Sequence, residues 1–196
     1  MFGDVENRIE TARKLARFDP GAAAKVLHAT ACDDGMDDES RIDAAEELAR
    51  LDRAAAARAF LAIASDDGVH DGLRVEAAER LPGLDPEAAA RAFLAIACDD
   101  GIHDGLRVEA AEQLPRLDRA AATQALLTIA CDDDVHDGLR SSAAERLPEL
   151  DRQAATQAFR VIAGDDSVDD GLRSAAAEQL LDLDPRAAAE VLGLIR

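Results

Sequence analysis

Three histidines stand 33 residues apart, His70, His103 and His136, and each is followed directly by an aspartate: Asp71, Asp104 and Asp137. An acidic pair lies just upstream of each, Asp66-Asp67, Asp99-Asp100 and Asp132-Asp133. Imidazole and carboxylate at this density are possible donors to a metal ion. Spacing weighs against that chemistry. Histidines on adjacent layers of packed helices sit about 10 Å apart, too far to share one ion through bonds of about 2.1 Å. Within one loop, Asp66, Asp67, His70 and Asp71 lack the ligand spacing of a calcium-binding EF-hand loop. Asp37 and Asp169 replace the histidine in the flanking copies. Solvated helix caps are the simpler reading, with Asp71, Asp104, Asp137 and Asp170 each capping the helix that follows.

Cys32, Cys98 and Cys131 form a second column, which holds Ser65 and Gly164 in other copies. A nucleophilic thiol would not tolerate that exchange, and no histidine is expected to pair with the thiols on their own helices. The column therefore asks for a small packing residue. An odd number of cysteines at equivalent positions is not a disulfide framework. Three free thiols and a reducing, cytoplasmic setting are expected. No G-x-S-x-G, P-loop or glycine-rich phosphate motif is present. No catalytic residue, metal ligand or cofactor is assigned, and the chain is not expected to be an enzyme.

Arginine gives the strongest column: Arg8, Arg41, Arg74, Arg107, Arg140 and Arg173. On a helical wheel it falls inside an apolar arc, between Leu73 and Leu81. A charge there must be paired or must reach water. One reading is a structural ladder in which Arg74 reaches Asp66 or Asp67 in the loop before it. The other is a row of anion sites. A residue that every copy carries serves the repeat rather than one ligand, which favours the ladder.

These columns exist because the whole chain repeats. Leu51, Leu84, Leu117, Leu150 and Leu183 each open a copy 33 residues after the last, and Phe18 opens a more diverged one. A period in this range marks a repeat array. Each copy reads as two helices. In the first, for example 72–81, Leu73, Ala77, Ala78, Leu81 and Leu84 are apolar. In the second, for example 86–97, Ala88, Ala89, Ala92, Phe93, Ile96 and Ala97 form one stripe at spacings of three and four. Asp85-Pro86, Asp19-Pro20 and Asp184-Pro185 place a cap before a proline at the first helical position. Pro82, Pro115 and Pro148 should end the first helix of their copies. The spacing predicts an all-α chain, one domain over 1–196, with helix pairs at about 4–33, 38–66, 71–99, 104–132, 137–165 and 170–196.

Residues 71–97, DGLRVEAAERLPGLDPEAAARAFLAIA, resemble a short HEAT repeat of the phycobilisome-lyase-like type. An arginine near the start of the first helix, then Ala-Ala and Leu, then an Asp-Pro turn carry the likeness, which extends over almost the whole chain. The T-P-L-H of ankyrin repeats and the large aromatic positions of tetratricopeptide repeats are missing. The resemblance implies a right-handed α-solenoid of six antiparallel pairs whose second helices line the concave face. It also implies an acid–base pair six residues apart: Asp19 with Lys25, Asp52 with Arg58, Asp85 with Arg91. Gln124, Gln157 and Glu190 break that series toward the C-terminus. Among HEAT-like enzymes, deoxyhypusine hydroxylase holds iron through His-Glu pairs, and this chain has only His-Asp.

The formal net charge is −19. Such a surface repels nucleic acid and anionic membranes and favours a basic protein partner. The start, MFGDVENR, lacks a leader's basic and apolar pattern, and no run approaches the ~20 apolar residues of a membrane span. One row fits a partner. Opposite the core stripe of the second helix, a column reads His28, Leu61, Leu94, Leu127, Arg160, Gly193. Either Leu94 lies at the edge of the core, or the three leucines form an apolar strip. On the strip reading, Arg58, Leu61, Arg91, Leu94, Gln124, Leu127 and Arg160 contact the partner. A scaffold for protein–protein interaction is the leading expectation. A metal-binding or HEAT-type enzyme using the His-Asp loops and an acidic DNA mimic are the alternatives.

Overall fold

The computed structural model describes residues 2–193, with side chains from residue 8 onward; residues 194–196 of the last expected pair lie outside the described residues. Among these residues there are twelve α-helices and no strand. They are α1 Phe2–Leu15, α2 Pro20–Ala31, α3 Asp38–Ala49, α4 Arg53–Ala64, α5 Asp71–Arg80, α6 Pro86–Ala97, α7 Asp104–Gln113, α8 Arg119–Cys131, α9 Asp137–Arg146, α10 Arg152–Gly164, α11 Asp170–Leu183 and α12 Pro185–Val191. Their contacts divide the chain into two compact units, Met1–Ile96 and Ala97–Arg196.

The even-numbered helices begin as their caps dictate. The carboxylates of Asp19, Asp52, Asp85, Asp118 and Asp151 accept from the amides of Ala22, Ala55, Ala88, Ala121 and Ala154 at 2.9–3.0 Å. Each satisfies one of the donors that a helix start leaves open. Three of the odd-numbered helices end just before a proline. α5, α7 and α9 stop after ten residues, at Arg80, Gln113 and Arg146, and Pro115 and Pro148 lie in short 3-10 turns. Where Leu181 takes the proline's place, α11 runs on for 14 residues to Leu183. The missing N–H and the clash with the preceding turn account for the difference.

In the first unit, each of α1 to α3 packs on the next helix and on the next but one, and α4 packs on α5, giving two layers. Leu27, Leu48, Phe60, Ile63, Leu81, Phe93 and Ile96 are almost wholly buried between them. In the second unit, α7 to α12 repeat the scheme around Leu114, Leu126, Ile129, Leu147, Phe159, Ile162 and Leu180. Alanine dominates the contact columns, which brings helix axes close.

Two features of the core differ from the sequence expectation. Leu73 and Leu84 are only half-buried, while Ile42, Val75 and Val108, one column further along the odd helices, are closed off. The burial arc is therefore centred beside the arginine rather than on Leu73. Val69, Ile102, Val135 and Val168 plug the underside of the acidic loops at 2–3% exposure, a column the helical pattern could not show because it lies between helices.

Candidate functional site

The arginine column is the most buried charge in the protein. Arg41, Arg74, Arg107 and Arg140 are 1–6% exposed. Each sits in the first turn of an odd helix and points its stem into the packed layer. The Nε–H donates to the carbonyl ten residues earlier, at the end of the preceding even helix: Arg41 to Ala31, Arg74 to Ala64, Arg107 to Ala97 and Arg140 to Ala130, at 3.2–3.4 Å. A carbonyl left open by that helix end is thereby satisfied. The guanidinium then reaches forward 25 residues: Arg8 to Asp33 at 3.1 Å, Arg41 to Asp66 at 2.9 Å, Arg107 to Asp132 at 2.9 Å and Arg140 to Asp165 at 3.0 Å. The expected direction, back to the preceding loop, holds for Arg173, which meets Asp166 at 2.8 Å and is 30% exposed, and more loosely for Arg41, which lies 3.8 Å from Asp34. Asp66 is engaged by Arg41 of the pair before. The forward reach follows from side-chain length: with Nε on the helix end behind, the fork spans to the next layer.

These bonds hold the loop carboxylates in the charged form. Arg41, and then the Gly68 amide, lower the pKa of Asp66. Asp165 is lowered to about 2, first by the Ser167 hydroxyl at 2.6 Å, then by the Ser167 amide and by Arg140. The carboxylates of Asp132, Asp133 and Asp134 lie within 4.8 Å of one another, but Asp132 already holds Arg107 and accepts from the Asp134 amide. A cation there would compete with a guanidinium.

The histidines are the caps themselves. The Nδ1 atoms of His70, His103 and His136 accept from the amides of Gly72, Gly105 and Gly138 at 3.2–3.3 Å. Asp37 and Asp169 do the same at the ends of the series, accepting from Ser40 and Gly171 at 2.9 Å. This corrects the expectation that Asp71, Asp104, Asp137 and Asp170 cap. Those aspartates already belong to the first turn, and for three positions in the column the carboxylate works across pairs instead. Asp38 accepts from the His70 amide at 3.1 Å, Asp104 from that of His136 at 3.2 Å and Asp137 from that of Asp169 at 3.2 Å. An imidazole whose Nδ1 accepts from an amide has that lone pair engaged.

The cysteines are free. They are not packing residues: Cys32 and Cys98 are exposed and Cys131 is half-buried, at the C-terminal ends of even helices. Cys32 also has a histidine on its own helix, with Sγ 4.0 Å from Nδ1 of His28, contrary to expectation; the pair is four residues apart, one helical turn. All three thiols are nevertheless raised in pKa, chiefly because the helix end shields part of each side chain from water, which disfavours the nucleophilic thiolate.

On the face of the even helices, Arg58 and Arg91 are exposed and Leu61 and Leu94 half-buried in the first unit. In the second, Gln124 and Arg160 are exposed and Leu127 half-buried; Arg160 pairs with Glu190 at 3.0 Å. The acid–base pairs implied by the HEAT resemblance do not close among the described residues. Asp52 and Asp85 cap the Ala55 and Ala88 amides instead, and at the same spacing in the second unit stand Gln124 and Gln157.

A second arginine column went unnoticed in the sequence. At the first position of the even helices, Arg53, Arg119 and Arg152 reach forward to the turn between the helices of the next pair. Arg53 donates to the Gly83 carbonyl, Arg119 to those of Glu149 and Leu150, and Arg152 to those of Asp182 (3.2 Å) and Leu183 (2.6 Å). Its alternation with Pro20, Pro86 and Pro185 at one 33-residue column was the available signal. The chain matches no family model, no curated protein and no solved structure in comparisons with each, so the repeat is defined by its own periodicity and packing.

Proposed function

We propose that the chain is a non-catalytic scaffold, a right-handed HEAT-like solenoid that binds a protein partner along the outward face of its even-numbered helices, the face that is concave in such repeats. The observation that carries this reading is the half-exposure of Leu61, Leu94 and Leu127 beside exposed Arg58 and Arg91, while the core columns of the same helices are closed. Apolar anchors next to arginine are the composition in which binding energy concentrates. The charge of −19 favours a partner with a basic surface. Support for a non-catalytic role comes from groups otherwise available for chemistry: the histidines accept helix amides and burial holds the thiols protonated.

The test is the double substitution Leu94→Glu and Leu127→Glu. The expected result is loss of the partners captured from the native host by the unmodified chain, with the helical signal and melting temperature retained. Retained capture by the folded variant refutes this face as the site; unfolding assigns the leucines to the core.

A further inference from the structure

Beside Pro20, at the first turn of α2, lies an open groove of about 690 Å³ lined by Pro20, Ala24, Ala49, Arg50, Leu51 and Asp52. Its place in the repeat says what it is shaped to hold. Three residues of the Pro20 column are arginines, and each lays its guanidinium on carbonyls 30 or 31 residues ahead, in the turn between the two helices of the next pair. For Pro20 the equivalent carbonyls are those of Arg50 and Leu51. Proline has no donor to offer them, and the space the arginine stem would cross is the groove. Apolar walls from Ala24 and Leu51 suit the methylene stem of an arginine, and the turn carbonyls suit its fork of donors.

We propose that this groove is a docking site for an arginine side chain presented by a partner protein, which would occupy the position that the chain's own arginine fills in three other pairs. Arg53 beside the groove does not forbid a second guanidinium. Arg119 docks on the Glu149–Leu150 turn, which is followed by Asp151-Arg152, the same order as Asp52-Arg53 after Leu51. The Arg50 side chain is turned to Glu47, at 2.8 and 2.9 Å. An arginine-bearing partner also matches the net charge of −19. The site lies on the turns between helices and is independent of the leucine face proposed above, so either can fail without the other.

The probe is the blocked tripeptide acetyl-Ala-Arg-Ala-amide, titrated into the full ¹⁵N-labelled chain while the amides of Ala24, Leu51, Asp52 and Arg53 are followed. The same peptide with citrulline, which keeps the shape and loses the charge, is the control. Saturable shifts confined to these amides are expected, at least ten-fold weaker with citrulline. Pro20→Arg, which supplies the missing side chain in cis, should weaken binding at least ten-fold, whereas Pro20→Ala should leave it within two-fold. Arg119→Pro should open a second site, reported by the Leu150 amide, and this holds the test even if Pro20→Arg fails to fold. No saturable shift in the unmodified chain, or equal shifts in a folded Pro20→Arg variant, overturns the proposal. So does the absence of a new response in a folded Arg119→Pro variant.

Discussion

Arg140 and Asp165 meet at 3.0 Å across 25 residues, with the arginine side chain 1% exposed and the aspartate 22%. The cation is the more deeply committed partner, so the two ends of the bond are not equivalent. Asp165→Ala leaves a buried guanidinium with less to hold it. The expected loss is about 3 kcal/mol, within the range for breaking a buried pair from one side. Arg140→Met removes the charge along with its bonds and should cost less. Chemical denaturation of both variants checks the order; equal losses would mean that solvent reaches the guanidinium.

The same carboxylate sets an acid limit. Asp165 is lowered from 3.8 to about 2 in the folded chain, so the fold favours its charged form. Its contribution is complete above about pH 4 to 5 and is lost as the pH falls through the folded value. Because the Ser167 hydroxyl is the largest cause, Ser167→Ala should move the Asp165 midpoint up toward 3.8, as read from its carboxyl ¹³C shift.

Ser141 stands in the column of Ile42, Val75 and Val108, and its hydroxyl is shut off from solvent without a partner. Burying an unsatisfied hydroxyl is costly, and a valine restores the apolar contact its neighbours make. Ser141→Val should therefore stabilise the chain by about 1–2 kcal/mol. Thermal melting decides the sign.

His136 caps α9 through a neutral ring nitrogen accepting from one amide, whereas Asp169, in the same column, accepts from both Gly171 and Leu172. A carboxylate accepts from two amides at once, and its charge suits the helix dipole at that end. His136→Asp should raise the melting temperature. The effect should fall within the ~1 kcal/mol of a typical cap exchange, offset in part by the added charge beside Asp104 and Asp137. An unchanged or lower melting temperature would show that the second amide bond does not form.

The helices were legible because their signals are local. Asp85-Pro86 starts α6 where the cap rule places it, and Pro115 and Pro148 end α7 and α9. The caps of the odd helices were misread by one residue because aspartate outranks histidine as a capping residue, while the loop backbone decides which of them faces the amide. The partners of Arg41 and Arg119 were not legible, since both lie in a neighbouring pair at a distance fixed by packing rather than by sequence. At the leucine face, periodicity left core edge and exposed strip open, and half-burial of Leu94 places it between the two.

One set of the bonds between pairs runs forward along the chain. Arg41 to Asp66, Arg119 to Leu150 and Asp137 to the Asp169 amide each send a side chain from an earlier pair to a later one. During synthesis from the N-terminus, the pairs that carry these groups therefore finish with side chains extended toward a segment that has not yet been made, and the next pair is received on a prepared edge. Shortening the chain is unequal for the same reason. Removing pairs from the C-terminal end costs a buried arginine its carboxylate 25 residues ahead, whereas removing them from the N-terminal end costs it the carbonyl ten residues behind and leaves that charge pair in place.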